Sequence, residues 1–158
     1  MPISLDLIDV QLLHELQVDA DRPNVELARV VGLSPAATLH RIRRLKESGI
    51  VRRIVAELDA AAAGFSLHVY VQVVLERHDD ASHGRFARAV REMPEVVSAD
   101  WVTGETDAML VVVAREVAEL QRVLVRLSSR GGASRVTTLL RLEELKPTSP
   151  LPLEPADA

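Results

Sequence analysis

Residues 24–51, NVELARVVGLSPAATLHRIRRLKESGIV, decide the N-terminal fold. Asn24 is a typical helix N-cap residue, and Gly32 suits the left-handed position that ends a helix. Ser34 and Pro35 then fit the N-cap and the first position of a second helix, where a missing N–H does no harm. The pattern predicts a short helix, a tight turn and a longer helix, which is the helix-turn-helix arrangement.

The segments on either side complete a small module. Residues 5–18, LDLIDVQLLHELQV, have apolar side chains at helical spacing, which predicts a preceding helix. Residues 50–59 predict an extended segment that supplies a wing, and Gly64 closes the module. We therefore expect a winged helix-turn-helix domain over residues 1–64.

The rest of the chain has a different periodicity. The alternation of residues 67–75 indicates a strand, and the segments after it alternate between helical and extended patterns. The predicted elements lie at 67–75, 81–92, 96–103, 108–114, 117–127 and 135–145. Their order, βαββαβ, predicts a ferredoxin-like domain over residues 65–146, so the fold class is α+β. The tail at 147–158 holds four of the eight prolines and is predicted to be extended or disordered.

The charge distribution favours a nucleic-acid partner for the first module only. The whole chain has a formal net charge of -4. Residues 29–53, however, contain seven basic side chains and one acidic side chain, Glu47, whereas residues 59–158 contain eleven basic and fifteen acidic ones. We therefore expect the basic face of the first module to attract phosphates and the acidic remainder of the chain to be repelled by them.

A helical wheel divides the second helix of the motif into two faces. The apolar face is predicted to pack inwards with Leu39, Ile42 and Leu45. The opposite face is predicted to meet DNA with Ala37, His40, Arg41 and Arg44. Small side chains let the backbone approach base edges, and arginines reach phosphate or guanine. Lys46 and the wing residues Arg52 and Arg53 are expected to add phosphate contacts; the alternative is a helical hairpin whose basic face is merely solvated.

Composition excludes several other classes of protein. The chain has no cysteine, so disulfides and cysteine-bound zinc are excluded. Aromatic residues make up 3%, which argues against base stacking on single strands or RNA. We see no signal peptide in residues 1–9 and no apolar run long enough to span a membrane, so the expected compartment is the cytoplasm.

The chemistry-bearing residues predict neither catalysis nor a bound metal. No nucleophile–base–orienter set, P-loop or nucleotide fingerprint is present, so we predict no catalytic residues and no cofactor. His78 and His83 lie close to Asp79 and Asp80, which makes a metal site conceivable. A solvated corner between a strand and a helix is the favoured interpretation, and no metal is predicted.

The order of the motifs resembles the Lrp/AsnC (feast/famine) family of transcriptional regulators. LDLIDVQLLHELQ followed by NVELARVVGLSPAATLHRIRRLKESGIV resembles their N-terminal module, and Thr103, Gly104 and Asp107 match their Thr-Gly-x-x-Asp pattern. The resemblance extends from about Ser4 to Lys146. It implies sequence-specific binding of double-stranded DNA, homodimers formed through the regulatory sheets, assembly to octamers or similar discs, and an amino acid or other small effector bound between regulatory domains.

The resemblance also implies residue roles. DNA contacts fall on Ser34, Ala36, Ala37, Thr38, His40, Arg41, Arg43 and Arg44. Effector contacts fall on Gly104, Glu105, Thr106, Asp107, Thr137 and Thr138. A Gly-x-x-Asp turn offers backbone N–H groups to a carboxylate and an aspartate to an ammonium, although an ordinary β-turn needs the same residues. Thr106 and Ala108 stand where the family often has an aromatic residue.

Two other functions remain open at this point. Some proteins that resemble the family are sirohaem decarboxylases, which use histidine and arginine in the regulatory cavity. The basic residues of the second motif helix disfavour that reading, and a visible absorption band of the purified protein would favour it. The other alternative is a partner subunit that joins mixed assemblies and binds no DNA itself.

Overall fold

The computed structural model describes residues 4–156 and divides the chain into two compact units. We call residues 1–56 with 146–158 the DNA-binding unit, and residues 57–145 the regulatory unit. The tail thus belongs to the first unit, and the units separate before Glu57 rather than after Gly64. Residues 1–3 and 157–158, at the ends of the predicted domains, lie outside the described residues.

Three helices form the DNA-binding unit: α1 (Leu7–Val18), α2 (Asn24–Val30) and α3 (Pro35–Glu47). Their core is small, and its buried members are Leu12, Leu27, Val31 and Ile42. Helix α1 begins with a capping box. Asp6 accepts from the Asp9 N–H at 2.8 Å, and the Asp9 carboxylate accepts from the Asp6 N–H at 3.3 Å.

The turn between α2 and α3 follows the predicted residue pattern. Gly32 has φ of +67°, and the Leu33 N–H donates to the Ala28 carbonyl at 3.0 Å, which closes the end of α2. Ser34 caps α3 by accepting from the Ala37 N–H at 3.2 Å. The predicted helix-turn-helix is therefore confirmed, including the cap that positions α3.

Two details of this unit differ from the sequence-based expectation. Asn24 is the first residue of α2 and not its N-cap, because Pro23 precedes the helix and the Asn24 side chain donates to the Pro35 carbonyl at 2.8 Å instead. That bond ties α2 to the start of α3. Residues 50–59, predicted as an extended wing, form neither a helix nor a strand.

The regulatory unit has the predicted βαββαβ order. Its elements are β1 (Leu67–Leu75), α4 (Asp80–Arg91), β2 (Val96–Trp101), β3 (Ala108–Ala114), α5 (Val117–Ser129) and β4 (Ala133–Leu140). The strands form one antiparallel sheet in the order β2-β3-β1-β4. Strand β4 ends at Leu140, which pairs with Val69, and not at the predicted 145, although the Arg141 N–H still donates to the His68 carbonyl at 2.9 Å.

Alternate residues of β1 form the centre of the regulatory core. Val69, Val71 and Val73 are fully buried and face the two helices. Antiparallel partners point to the same side of a sheet, so Leu110 and Val112 of β3 join them. The core is aliphatic apart from Phe86 and Met93, as the low aromatic content requires. Between residues 4 and 156, no helix has both the length and the apolar character needed to cross a membrane.

Candidate DNA-binding and effector sites

The buried face of α3 is rotated relative to the predicted wheel. Thr38 is completely buried beside Ile42 and Leu45, whereas Leu39 is 39% exposed. Burial of Thr38 is tolerated because its hydroxyl donates to the Ser34 carbonyl at 3.0 Å. Thr38 was therefore wrongly placed among the DNA contacts, and Leu39 was wrongly placed in the core.

The outward face of α3 contains most of the other predicted contacts. Ala36, Ala37, His40 and Arg43 are exposed and recur at helical spacing. Ser34 is exposed as well, although its hydroxyl is already engaged as the cap. The structure thus presents small residues at the start of α3 and a histidine and an arginine further along one face.

Arg41 and Arg44 are oriented towards α1. Arg41 donates to an Asp6 oxygen at 2.6 Å and to an Asp9 oxygen at 2.9 Å. Arg44 pairs with the other oxygen of Asp9, whose side chain is only 1% exposed. These two guanidinium groups connect α3 to α1, which corrects the prediction that they point away from the protein to meet DNA.

The charges of this network stabilise one another. The Asp9 N–H and the Arg41 guanidinium hold the pKa of Asp6 below its usual value. The Asp6 carboxylate in turn raises the pKa of Arg41. Sequence analysis missed the role of Asp9, because an acid in the first turn of α1 is already explained by the helix dipole. Only the tertiary structure places it against α3.

Four basic groups of the predicted set remain outside these ion pairs. Arg43, Lys46, Arg52 and Arg53 are exposed. None of them takes part in an ion pair with another residue between 4 and 156. Since ion pairing within the protein would compete with phosphate, these four side chains are the cations most available to DNA.

The predicted effector turn is fixed at one end by Asp107. Its carboxylate accepts from the Leu75 N–H at 2.7 Å and lies 3.1 Å from the His78 ring. Its own N–H donates to the Val73 carbonyl at 2.9 Å. Gly104, at the other end, is exposed with φ of +121°, a conformation that favours glycine. Asp107 therefore orders the turn against the end of β1.

The two threonines assigned to the effector site lie on opposite faces of the sheet. Thr138 pairs with the buried Val71 and so lies on the helix side. Thr137 pairs with Gln72 and lies on the other side, which the helices do not cover. The two side chains therefore cannot line one small site on one face of the sheet. The prediction that placed both threonines in the effector site is corrected accordingly.

The histidines near the turn have structural partners. His78 contacts Asp107, and the His83 ring lies 4.9 Å from the ring of Trp101. Trp101 also packs 5.5 Å from Phe86, which makes it part of the helix-side packing. In the described part of the chain, no group of three or more histidine, aspartate or glutamate side chains is arranged to bind a metal.

The arrangement defines a class: a helix-turn-helix unit joined to a ferredoxin-like α+β unit. Comparison with known families gives the same division. The AsnC-type helix-turn-helix domain matches residues 5–46, and the Lrp/AsnC ligand binding domain matches residues 68–151. The chain belongs to the Lrp/AsnC family.

Relatives of this family match almost the whole chain. The leucine-responsive regulatory protein of Rhizobium meliloti is 37% identical over 145 residues, which cover 91% of this chain and 93% of the relative. The HTH-type transcriptional regulator AldR of Mycolicibacterium smegmatis is 33% identical, covering 93% and 86%. The crystal structure of a Neisseria meningitidis regulator in complex with L-methionine has a TM-score of 0.88 at 34% identity, covering 94% and 97%.

These comparisons confirm the predicted family, fold class and function class. The named relatives are transcriptional regulators and not enzymes. The chain is accordingly a regulator with a helix-turn-helix and a ligand-binding domain.

Proposed function

We propose that the chain binds specific double-stranded DNA sites through the outward face of α3 and changes its binding when an amino acid occupies the regulatory unit. The observation that most strongly supports this is the division of the basic residues. Arg41 and Arg44 are occupied by Asp6 and Asp9, while Arg43 remains exposed on the same helix. A helix fixed in this way presents a constant face to the major groove.

Within this face, each residue has a distinct role. Ala36 and Ala37 let the start of α3 approach the bases closely, and His40 and Arg43 reach base edges. Lys46, Arg52 and Arg53 contact phosphates, which positions the helix without reading sequence. Operator affinity should then fall steeply as salt concentration rises.

The open face of the regulatory sheet is the proposed dimer interface. Tyr70 and Leu139 are paired across β1 and β4 on the side that the helices leave uncovered, and both are exposed apolar side chains. Burial of such a face in a homodimer would bring together two copies of α3 for the two halves of a pseudo-palindromic site. Assembly of dimers to an octamer or a similar disc remains part of this proposal, as does a cytoplasmic location beside the DNA.

The effector is proposed to bind at the turn of residues 104–107. Gly104, Glu105 and Thr106 supply backbone N–H groups for a carboxylate, Thr137 lies on the open face, and Asp107 fixes the turn. The L-methionine bound to the Neisseria meningitidis regulator supports an amino acid as the ligand. Since the Asp107 carboxylate already accepts from Leu75, Asp107→Ala would remove the order of the turn as well as a ligand contact.

A titration of fluorescent DNA from the region upstream of the gene tests the DNA-binding proposal. We expect salt-sensitive binding that competitor DNA of unrelated sequence does not abolish. Arg43→Ala should weaken specific binding about tenfold, the value of one good base contact, without lowering the melting temperature. The matched variant Arg44→Ala, in contrast, should lower the melting temperature, because it breaks the ion pair with Asp9.

Two results would contradict the proposal. One is equal affinity for specific and unrelated DNA, and the other is full affinity in the Arg43→Ala variant. Addition of the twenty amino acids, singly, to the same titration tests the effector. A set of curves that no amino acid shifts would refute the effector part and leave the DNA-binding part standing.

A further inference from the structure

The prolines at the C-terminus are part of a segment that lies on the DNA-binding unit. The Leu151 N–H donates to the Gln17 side chain at 2.7 Å, and the Ala156 N–H donates to the Leu5 carbonyl at 3.0 Å. The two bonds are at opposite ends of the short segment and both reach α1 or the residues just before it. Residues 151–156 therefore follow a fixed path across the unit.

Leu151 and Leu153, which lie between these bonds, line an apolar groove. The Leu153 N–H donates to the Leu151 carbonyl at 2.9 Å, a three-residue turn around Pro152. Both leucines line a cavity of about 320 Å³ whose other walls include Leu13 and Leu16 of α1. Residues 50–55, the segment predicted as the wing, form its remaining side.

A second cavity lies along the outer side of α1. Leu151, Pro152 and Leu153 line this cavity of about 470 Å³ together with Leu7 and Val10. The tail thus separates two apolar spaces. Leu153 and Pro155 are partly buried, whereas Leu151 stays mostly exposed, so Leu153 is the principal anchor.

The composition of the tail suits this position. Pro147, Pro150, Pro152 and Pro155 restrict the backbone before it docks, so less conformational entropy is lost on binding. Partial burial of Leu153 contributes favourable free energy.

From these observations we infer that the chain's own tail, residues 147–156, is the ligand of this groove and holds residues 50–55 against α1. Arg52 and Arg53 lie within the segment that it holds, so the tail orders two of the cations proposed for phosphate contact. The inference goes beyond the proposed function and can be tested without DNA.

Hydrogen exchange of the full-length protein is the test. In Leu153→Asp, we expect amides of residues 50–55 and of the tail to exchange about tenfold faster, because the charged side chain cannot occupy the groove. Strands β1 and β3 should keep their exchange rates. Thr148→Asp is the matched control, since it adds the same charge at an exposed tail position that does not line the groove.

A chain ending at Lys146 provides a second variant. A synthetic peptide of residues 147–156, PTSPLPLEPA, added in excess should restore slow exchange in residues 50–55, and the same peptide with Leu153→Asp should not. Unchanged exchange in the full-length Leu153→Asp protein would overturn the inference, as would an equal effect of Thr148→Asp. Protection that disappears on dilution would show that a second copy donates the tail, and would overturn the assignment to the same chain. Failure of all DNA titrations would affect the proposed function alone.

Discussion

Different forces stabilise each of the two units of this chain. The regulatory unit has a continuous core of buried aliphatic side chains between one sheet and two helices. Among the described residues, the DNA-binding unit buries seven apolar side chains, supplemented by the capping box and by the ion pairs of Asp9. Because apolar burial scales with area, the regulatory unit should be the more stable of the two, and the DNA-binding unit the more sensitive to charge.

This difference suits a regulator. The sheet that is proposed to dimerise needs a fixed geometry, whereas the DNA-binding unit needs a small rigid framework around one exposed helix face. In the DNA-binding unit, some basic side chains form ion pairs within the fold and others remain exposed. Arg44 pairs with Asp9 within the fold, and its neighbour Arg43 is exposed and, as proposed above, available to DNA.

The largest effect is expected from Leu110→Ala in β3. Leu110 is fully buried, so the truncation should reduce the free energy of unfolding of the regulatory unit by about 3 kcal/mol. Urea unfolding followed by tryptophan fluorescence measures this, because the single tryptophan, Trp101, lies in β2. Leu142→Ala, at a position 92% exposed, serves as the control. A loss below about 1 kcal/mol would argue against a tightly packed core.

A smaller effect, in the other unit, is expected from Asp9→Asn. The change leaves Arg41 and Arg44 without their shared carboxylate and should cost the DNA-binding unit about 2 kcal/mol, less than a fully buried pair because both arginines are partly exposed. Helical circular dichroism, to which α4 and α5 of the regulatory unit also contribute, should show an earlier first transition, with the Trp101 fluorescence transition unchanged. Asp21→Asn, an exposed change in the same unit, is the control. A simultaneous shift of both transitions would show that the units do not unfold separately.

The smallest expected effect is a difference between the two units in how their stability depends on pH. In the regulatory unit, burial and, secondly, the nearby Arg141 lower the pKa of His68 below its usual value of 6.5. As pH falls, the unfolded chain therefore binds a proton at His68 before the folded chain does. Stability should be full above pH 6.5 and decrease as pH falls towards the lowered value. In the DNA-binding unit the pKa of Asp6 lies below 3.8, so its contribution is lost only as pH falls below that range.

Urea unfolding at pH 7.5, 6.0 and 5.0 tests this separation. The Trp101 transition should move to lower urea concentration across the series, and His68→Gln should reduce that movement. The helical transition of the DNA-binding unit should change less over the same range. An undiminished pH dependence in His68→Gln would assign the titration to another group of the regulatory unit.

Local patterns were sufficient to predict the element order, and the failures have a common physical cause. Gly32, Ser34 and Pro35 impose backbone geometry on their immediate neighbours, so the turn was predictable. The orientation of Arg41 and Arg44 depends on Asp9, more than thirty residues earlier, which no local charge count can include. The groove for the tail likewise depends on contacts between the two ends of the chain.

Two errors in the candidate site concern the direction in which side chains point. Leu39 was assigned to the core because an ideal helical wheel places it with Ile42 and Leu45, but Thr38 satisfies its hydroxyl within the helix and takes that position. Thr137 and Thr138 were both assigned to the effector site from the family resemblance, although consecutive strand residues face opposite ways. The second error was avoidable from the strand period alone, whereas the first required the packing of α1 and α2 against α3.

The course of the chain has a consequence for synthesis. The DNA-binding unit includes residues 1–56 and 146–158, with the whole regulatory unit inserted between them. On the ribosome, the three helices emerge first, but the tail segment that lines their groove emerges only after β4. A nascent chain therefore completes its regulatory sheet before its DNA-binding unit, and a prematurely terminated chain keeps an uncovered apolar groove on its head.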